Sequence, residues 1–190
     1  MRKIILTMQL SLDGVASDVD QWMTTLSDEI VEDSLAYYDT LDAIIVGGRT
    51  YSSLAAYWQQ AETASESALE RRFAKKINEI EKLVLSRSDV DLVWKNSRRL
   101  PAGDQSSLVR TVNALKDSNG RNISVESGVG AWQLFIENGL FDEMWMWIHP
   151  IVVGRGEKLF PDGGEKTTMR LSHSKAYENG VIGLRYQGDR

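Results

Sequence analysis

The stretch Leu41–Trp58, LDAIIVGGRTYSSLAAYW, constrains the fold more than any other. Its apolar run Ala43–Val46 shows no polar alternation, so it reads as a strand buried on both faces, the setting of a parallel sheet. Gly47-Gly48 follows at once, then a cation and a hydroxyl, Arg49-Thr50, and then a helix-like segment. Parallel strands need a crossover to return the chain, usually a helix. In open α/β sheets the turn leading from strand into helix is also where ligands bind.

The rest of the chain repeats this grammar. Lys3–Leu10 predicts a first strand ending near Asp13-Gly14, and Ser27 caps a helix over Asp28–Asp39 with Ile30, Leu35 and Tyr38 inward. Asp42–Gly47 is the second strand and Thr50–Tyr57 a short helix. Gln59–Ile80 is a polar helix whose Leu69, Phe73 and Ile77 recur every four residues. Lys82–Ser86 predicts a strand, and Leu92-Val93-Trp94 is a candidate for another. Leu108, Val109, Val112 and Leu115 mark a helix stopping at Asn119-Gly120. Asn122–Val125 is a strand, Ala131–Asn138 a helix, and Glu143–Val153 an alternating strand that breaks at GRGEKLFPDGG. Met169–Tyr177 and Val181–Tyr186 flank Asn179-Gly180, read as a type I′ hairpin turn. The expectation is an α/β three-layer sandwich: a mostly parallel sheet, an antiparallel C-terminal hairpin, and helices on both faces, in one domain over 1–190.

Composition narrows the partners. With net charge -5 and pI near 5.1, the chain lacks the basic footprint of a nucleic-acid or anionic-membrane binder. It has no cysteine, which removes thiolate chemistry and fits a reducing cytoplasm. Two isolated histidines, His149 and His173, offer neither a metal site nor a Ser-His-Asp triad. No apolar stretch reaches the ~20 residues of a membrane span. A small-molecule partner is expected in the cytoplasm.

Three strand-to-helix turns carry phosphate-binding chemistry: Gly47-Gly48-Arg49-Thr50, Ser86-Arg87-Ser88 and Ser127-Gly128-Val129-Gly130. Glycine admits a phosphate to the backbone, a helix start offers free N–H groups, and arginine adds a fixed charge. Together they point to one ligand with several phosphates, such as a dinucleotide. None is the G-x-G-x-x-G fingerprint or a P-loop, so the plan is a different one.

These segments resemble the dihydrofolate-reductase-like fold, and within it the RibD C-terminal (riboflavin biosynthesis reductase) domain family and its stand-alone bacterial relatives. The carriers are MQLSLDGVA, IVGGRTY, LVLSRS, SGVGAWQLFIENGLFDEMWMWIHPIVVGRGEKLF and YENGVIGLRYQ, in order over nearly the whole chain. The family often has Gly-Gly where this chain has Ser127-Gly128. The resemblance implies NADPH, hydride transfer to an aminouracil- or pteridine-like heterocycle, and commonly a homodimer. It implies that Gly48, Arg49 and Thr50, with Gly47 before them, hold the cofactor's phosphates. Ser86 and Arg87 would meet the adenosine 2′-phosphate, and Gly128, Val129 and Gly130, after Ser127, the pyrophosphate and nicotinamide side.

Asp13 is the candidate catalytic residue, facing substrate from the first loop. Trp22, Tyr51 and an acid on the first helix, Glu32 or Asp33, are the substrate-side candidates. The methionine- and tryptophan-rich strand Met144–His149 is expected in the core or at a dimer contact. The alternatives are a dihydrofolate reductase and a non-catalytic nucleotide-binding protein on the same fold.

Overall fold

In the computed structural model, which describes residues 1–161 and 166–188, one eight-stranded sheet organises the chain. The strands are β1 (Ile4–Ser11), β2 (Leu41–Gly47), β3 (Glu81–Leu85), β4 (Ser97–Arg99), β5 (Asn122–Val125), β6 (Glu143–His149), β7 (Met169–Ala176) and β8 (Ile182–Gly188). The helices are α1 (Val19–Trp22), α2 (Asp28–Tyr38), α3 (Gly48–Ala64), α4 (Ala68–Glu79), α5 (Gln105–Asp117) and α6 (Val129–Glu137).

The strand order is β4-β3-β2-β5-β1-β6-β8-β7, parallel from β4 to β6 and antiparallel across β6–β8 and β8–β7. The chain leaves β1 for β2, moves outward to β3 and β4, and then returns to insert β5 between β2 and β1. That return positions the site. It sets the turn after β5 beside the turn after β2, with Ile45 opposite Val125, while Gly47 lies opposite Leu85 of β3.

Two apolar cores form, one on each face. Helices α5 and α6 bury Leu108, Val112, Trp132 and Phe135 against Ile4, Leu6, Ile45 and Ile123. Helices α2, α3 and α4 bury Tyr37, Tyr38, Tyr51, Phe73 and Ile77 against Ile5, Ile44, Trp145 and Trp147. The three-layer α/β expectation therefore holds.

Details differ from the sequence reading. The short helix Thr50–Tyr57 and the helix from Gln59 are re-divided: α3 runs unbroken to Ala64, and the break falls at Ser65–Ser67. The cause is a cap, since the Ser67 hydroxyl accepts from Glu70 N at 3.2 Å and starts α4. Leu92-Val93-Trp94 is not a strand. Trp94 is buried as an anchor, its backbone N–H donating to Tyr51 Oη (2.8 Å) and its Nε1 to Asn78 Oδ1 (2.6 Å), and sheet pairing begins later, at Ser97. The β6 strand ends at His149, before Pro150, rather than at Val153. Part of the predicted break, at 162–164, lies outside the described residues.

The final hairpin stands, but its turn is corrected. Only Gly180 has positive φ (82°), whereas a type I′ turn needs Asn179 there too. Gly180 N–H donates to Tyr177 O (3.0 Å) and Tyr177 N–H to Val181 O (2.9 Å), closing the three-residue loop Glu178–Gly180. That is the longer hairpin loop, with glycine at its left-handed position.

The Met144–His149 strand, expected in the core or at a dimer contact, lies in the core: Met144, Trp145, Met146 and Trp147 are all buried within this chain, and β6 sits between β1 and β8. Its apolar content is spent on both cores.

Candidate functional site

The three glycine and serine turns meet at the C-terminal ends of β2, β3 and β5. Gly47 N–H donates to Ser127 Oγ at 2.9 Å, joining the first turn to the third. This gives the Ser127 departure from Gly-Gly a purpose, because its hydroxyl fastens two loops. A Cβ on Gly48 would lie 2.6 Å from Ser86 Oγ and 2.7 Å from Ser86 Cβ, so glycine is required for the first turn to approach the second. A Cβ on Gly128 would meet Thr50 Cγ2 at 3.2 Å, and one on Gly130 would meet Arg49 Nη2 at 2.8 Å. The Arg49 guanidinium therefore reaches across to the first turn of α6.

Electrostatics sharpen the picture. The first N–H groups of any helix lack intrahelical acceptors, and the helix start carries partial positive charge. Helices α2, α4 and α5 satisfy theirs with Ser27, Ser67 and a reciprocal Asp104–Ser107 capping box. Helices α3 and α6 start on Gly47 and Gly128, with no side-chain cap. Among the described residues Arg49 makes no ion pair or hydrogen bond, and it stands against the positive end of a helix. A cation and two uncapped helix starts in one place favour an anion such as a pyrophosphate.

Beside them, the second turn is braced. Ser86 Oγ donates to Ser88 O (2.9 Å) and accepts from Ser88 N (3.2 Å), which shapes the loop. Arg99 of β4, which no motif in the sequence marks, holds it by donating to Ser88 O (3.2 Å) and Val90 O (3.1 Å) and pairing with Asp89 (3.1 Å). Arg87 is exposed and without an ion pair among the described residues, at the rim beside Gly48. These residues fit the phosphate groups of a dinucleotide.

Asp13 is built as an acceptor. Its carboxylate takes Ser11 Oγ (2.7 Å), Val153 N (3.1 Å) and Gly154 N (2.8 Å), fastening the loop after β1 to the loop after β6. Those hydrogen bonds, Ser11's first among them, hold its pKa down at about 2. An acid so firmly ionised is a poor proton donor near neutral pH, and the geometry moves Asp13 from catalysis to bracing.

A different acid has the opposite character. Glu126 follows β5 just before the Ser127–Gly130 turn, its carboxyl taking a hydrogen bond from Ser124 Oγ at 2.6 Å. Burial pushes its pKa up to about 7, with Ser124 and Tyr38 bonds acting the other way. The sequence signal was present in VESG, an acid between a buried strand and a glycine turn.

Helix α2 supplies no acid to the cleft. Glu32 is exposed on α2. Asp33 pairs with Lys175 (2.6 Å) and accepts from Tyr177 Oη (2.9 Å), facing the hairpin, and these bonds outweigh burial to lower its pKa. Tyr51 is also corrected as a substrate residue. It is fully buried, its hydroxyl donating to Ser97 Oγ (2.9 Å) and accepting from Trp94 N (2.8 Å). Trp22 is buried too, with Nε1 on Ser17 O (2.7 Å) and its ring edge-on to His149 at 5.8 Å. His149 is fully buried, bonded to Thr24 Oγ1 (2.8 Å) and Gln9 Oε1 (2.7 Å), so it ties the α1–α2 segment to β1.

Comparison with known proteins fits this architecture. The family model described as the RibD C-terminal domain matches residues 2–183. The chain belongs to this family. The RibD C-terminal domain family is a reductase family, and its RibD-like reductases are generally NADPH-dependent. Over 192 residues the chain is 26% identical to the uncharacterized protein YyaP of Bacillus subtilis (strain 168), covering 97% of this chain and 94% of YyaP. A putative riboflavin biosynthesis protein from Shewanella sp. PV-4 superposes with TM-score 0.70 at 16% identity, over 99% of both chains. The Thermotoga maritima diaminohydroxyphosphoribosylaminopyrimidine deaminase/5-amino-6-(5-phosphoribosylamino)uracil reductase superposes at 0.64 and 14% identity; 99% of this chain covers 57% of that one. Likeness at such identities speaks to the fold. Among the described residues no helix is long and apolar enough to cross a membrane.

Proposed function

We propose that this chain is an NADPH-dependent reductase, transferring a hydride to a heterocyclic small molecule of aminouracil or pteridine type. Its activity would resemble that of 5-amino-6-(5-phosphoribosylamino)uracil reductase in riboflavin biosynthesis. One observation carries the reading: Arg49, without an anionic partner among the described residues, stands between two helix starts that no side chain caps. Gly47 to Thr50 and Ser127 to Gly130 would hold the pyrophosphate and nicotinamide side. Ser86 and Arg87 would take the 2′-phosphate that separates NADPH from NADH.

When bound, NADPH supplies the hydride. The chain's residues orient it and supply the proton that a heterocycle needs at the atom next to the reduced carbon. Glu126 is suited to that task, because a half-buried acid titrating near neutrality both holds a proton at working pH and releases it readily. The folate-reductase alternative is weakened by α2, where Glu32 is exposed and Asp33 is engaged with Lys175. A screen of aminouracils, pteridines and dihydrofolate for NADPH oxidation tests the reading. Turnover of an aminouracil or pteridine supports it, and turnover of dihydrofolate alone replaces it.

The proposal includes a cytoplasmic homodimer, with its contact moved from β6. Exposed Val152, Phe160, Leu171 and Ile182, on the hairpin and the loop after β6, offer apolar surface instead. Sedimentation at the chain mass of 21.4 kDa at micromolar concentration would overturn it.

A further inference from the structure

Behind Glu126 lies a row of hydroxyls that the proposed reaction does not itself require. Ser124 Oγ donates to Glu126 Oε1 at 2.6 Å, Thr7 Oγ1 lies 2.7 Å from Ser124 Oγ, and Tyr37 Oη lies 3.0 Å from Thr7 Oγ1. Each hydroxyl has one hydrogen. When Glu126 is ionised, Ser124 spends its own on the carboxylate, so Thr7 donates to Ser124 and Tyr37 to Thr7. In that state the row runs from Tyr37 to Glu126, and hydrogen bonds aligned in this way strengthen one another.

All three hydroxyl residues are buried, and the row ends at Tyr37, whose ring packs on Trp145 with centroids 4.1 Å apart. No step of it reaches solvent, so it cannot carry protons in from bulk water. Protons must reach Glu126 from the cleft, and the row can only orient the carboxyl and stabilise its charged form.

Other groups also face Glu126. From α2 come the Tyr37 and Tyr38 hydroxyls, Tyr38 also bonding the carboxyl. From β1 comes Thr7, and from β2 the Ile45 carbonyl, which accepts Glu126 N–H at 3.0 Å. Glu143 of β6 acts on Tyr37 at the far end, and Arg49 stands in the neighbouring turn at Gly130. Among the described residues no ion pair reaches the carboxyl.

We propose that Ser124, backed by Thr7 and Tyr37, is the positioning residue of this site: its hydroxyl aims the Glu126 carboxyl and sets its affinity for the proton. The functional meaning rests on the reductase reading, but the test needs neither cofactor nor substrate. The full-length protein, labelled with side-chain 13C-glutamate, is titrated by NMR, and Glu126→Gln assigns the resonance. Ser124→Ala should raise the Glu126 midpoint by about one pH unit, roughly the tenfold expected for a hydrogen bond to a charged group. Ser124→Thr, which keeps the donor, should restore the wild-type midpoint. Thr7→Val should give a smaller rise, and being isosteric it carries the test if Ser124→Ala does not fold. Midpoints unchanged in Ser124→Ala, or in Thr7→Val where only that variant folds, overturn the proposal and leave the reductase reading standing. Absence of NADPH binding by the wild type would overturn the reductase reading and leave this titration intact.

Discussion

The two ends of the parallel strands treat charge in opposite ways. At the N-terminal end cations meet carboxylates: Arg2 with Asp42, Lys3 with Glu143 (2.6 Å) and Lys116 with Asp142 (2.8 Å). At the C-terminal end, among the described residues, Arg49 and Arg87 meet none, two helices begin without caps, and Glu126 is half-buried without a cation. Charges paired within the chain contribute to the folded state alone. Arg49 and Arg87 are exposed and give the fold nothing by pairing, whereas burial opposes the charge on Glu126, and such departures from local consistency mark functional sites.

Glu126→Gln should break the C-terminal end most severely. NADPH oxidation with an accepting heterocycle should fall by roughly 10²–10⁴-fold, the range for removal of a general acid, with NADPH affinity unchanged. Stability should respond in the reverse sense. Burial raises the folded-state pKa of Glu126 to about 7, so the folded protein binds the extra proton. Glu126's stabilisation is then fully present below about pH 4, the unfolded-state value, and is lost as pH rises towards 7. Chemical denaturation across that window should show the decline, and Glu126→Gln should flatten it.

Lys116→Met tests the other end. The Lys116 and Asp142 side chains are only 9% and 11% exposed, so removing the cation takes the charged partner from a carboxylate that keeps the Ile4 N–H (2.9 Å). Unfolding free energy should drop by about 3 kcal/mol, the order seen for broken buried pairs, and NADPH affinity should stay at wild type. Arg49→Ala should do the converse: roughly 1–3 kcal/mol weaker NADPH binding by calorimetry, with no loss of melting temperature. If Arg49→Ala unfolds the protein, or Lys116→Met abolishes binding, the contrast between the ends collapses. Ser27→Ala should be the mildest, costing about 1 kcal/mol of stability as a lost helix cap and leaving the cofactor untouched.

Much of this contrast was legible in the sequence. The turns at Gly47, Ser86 and Ser127 stood out because glycine, serine and arginine followed apolar strands, and topology then brought them together. What could not be read was long-range. The role of Tyr51 depends on Trp94 and Ser97, more than forty residues away, and nothing in its helix predicts that burial. The Met144–His149 strand showed apolar residues on both faces, but only the insertion of β6 between β1 and β8 decided that both were internal. Asp13 and Glu126 differ in proton affinity for the same reason. A turn aspartate and a glutamate after a strand look alike in sequence, but hydrogen bonds from Ser11, Val153 and Gly154 lower the proton affinity of one, and burial, partly offset by Ser124 and Tyr38, raises that of the other.

The most direct measurement is equilibrium titration of the wild type and Arg87→Ala with NADPH and with NADH, followed by fluorescence of the six tryptophans. Wild type should bind NADPH saturably and more tightly than NADH, and Arg87→Ala should weaken NADPH by roughly 1–3 kcal/mol while leaving NADH nearly unchanged. No saturable NADPH binding, or equal affinity for the two cofactors in the wild type, would contradict the assignment of this cleft.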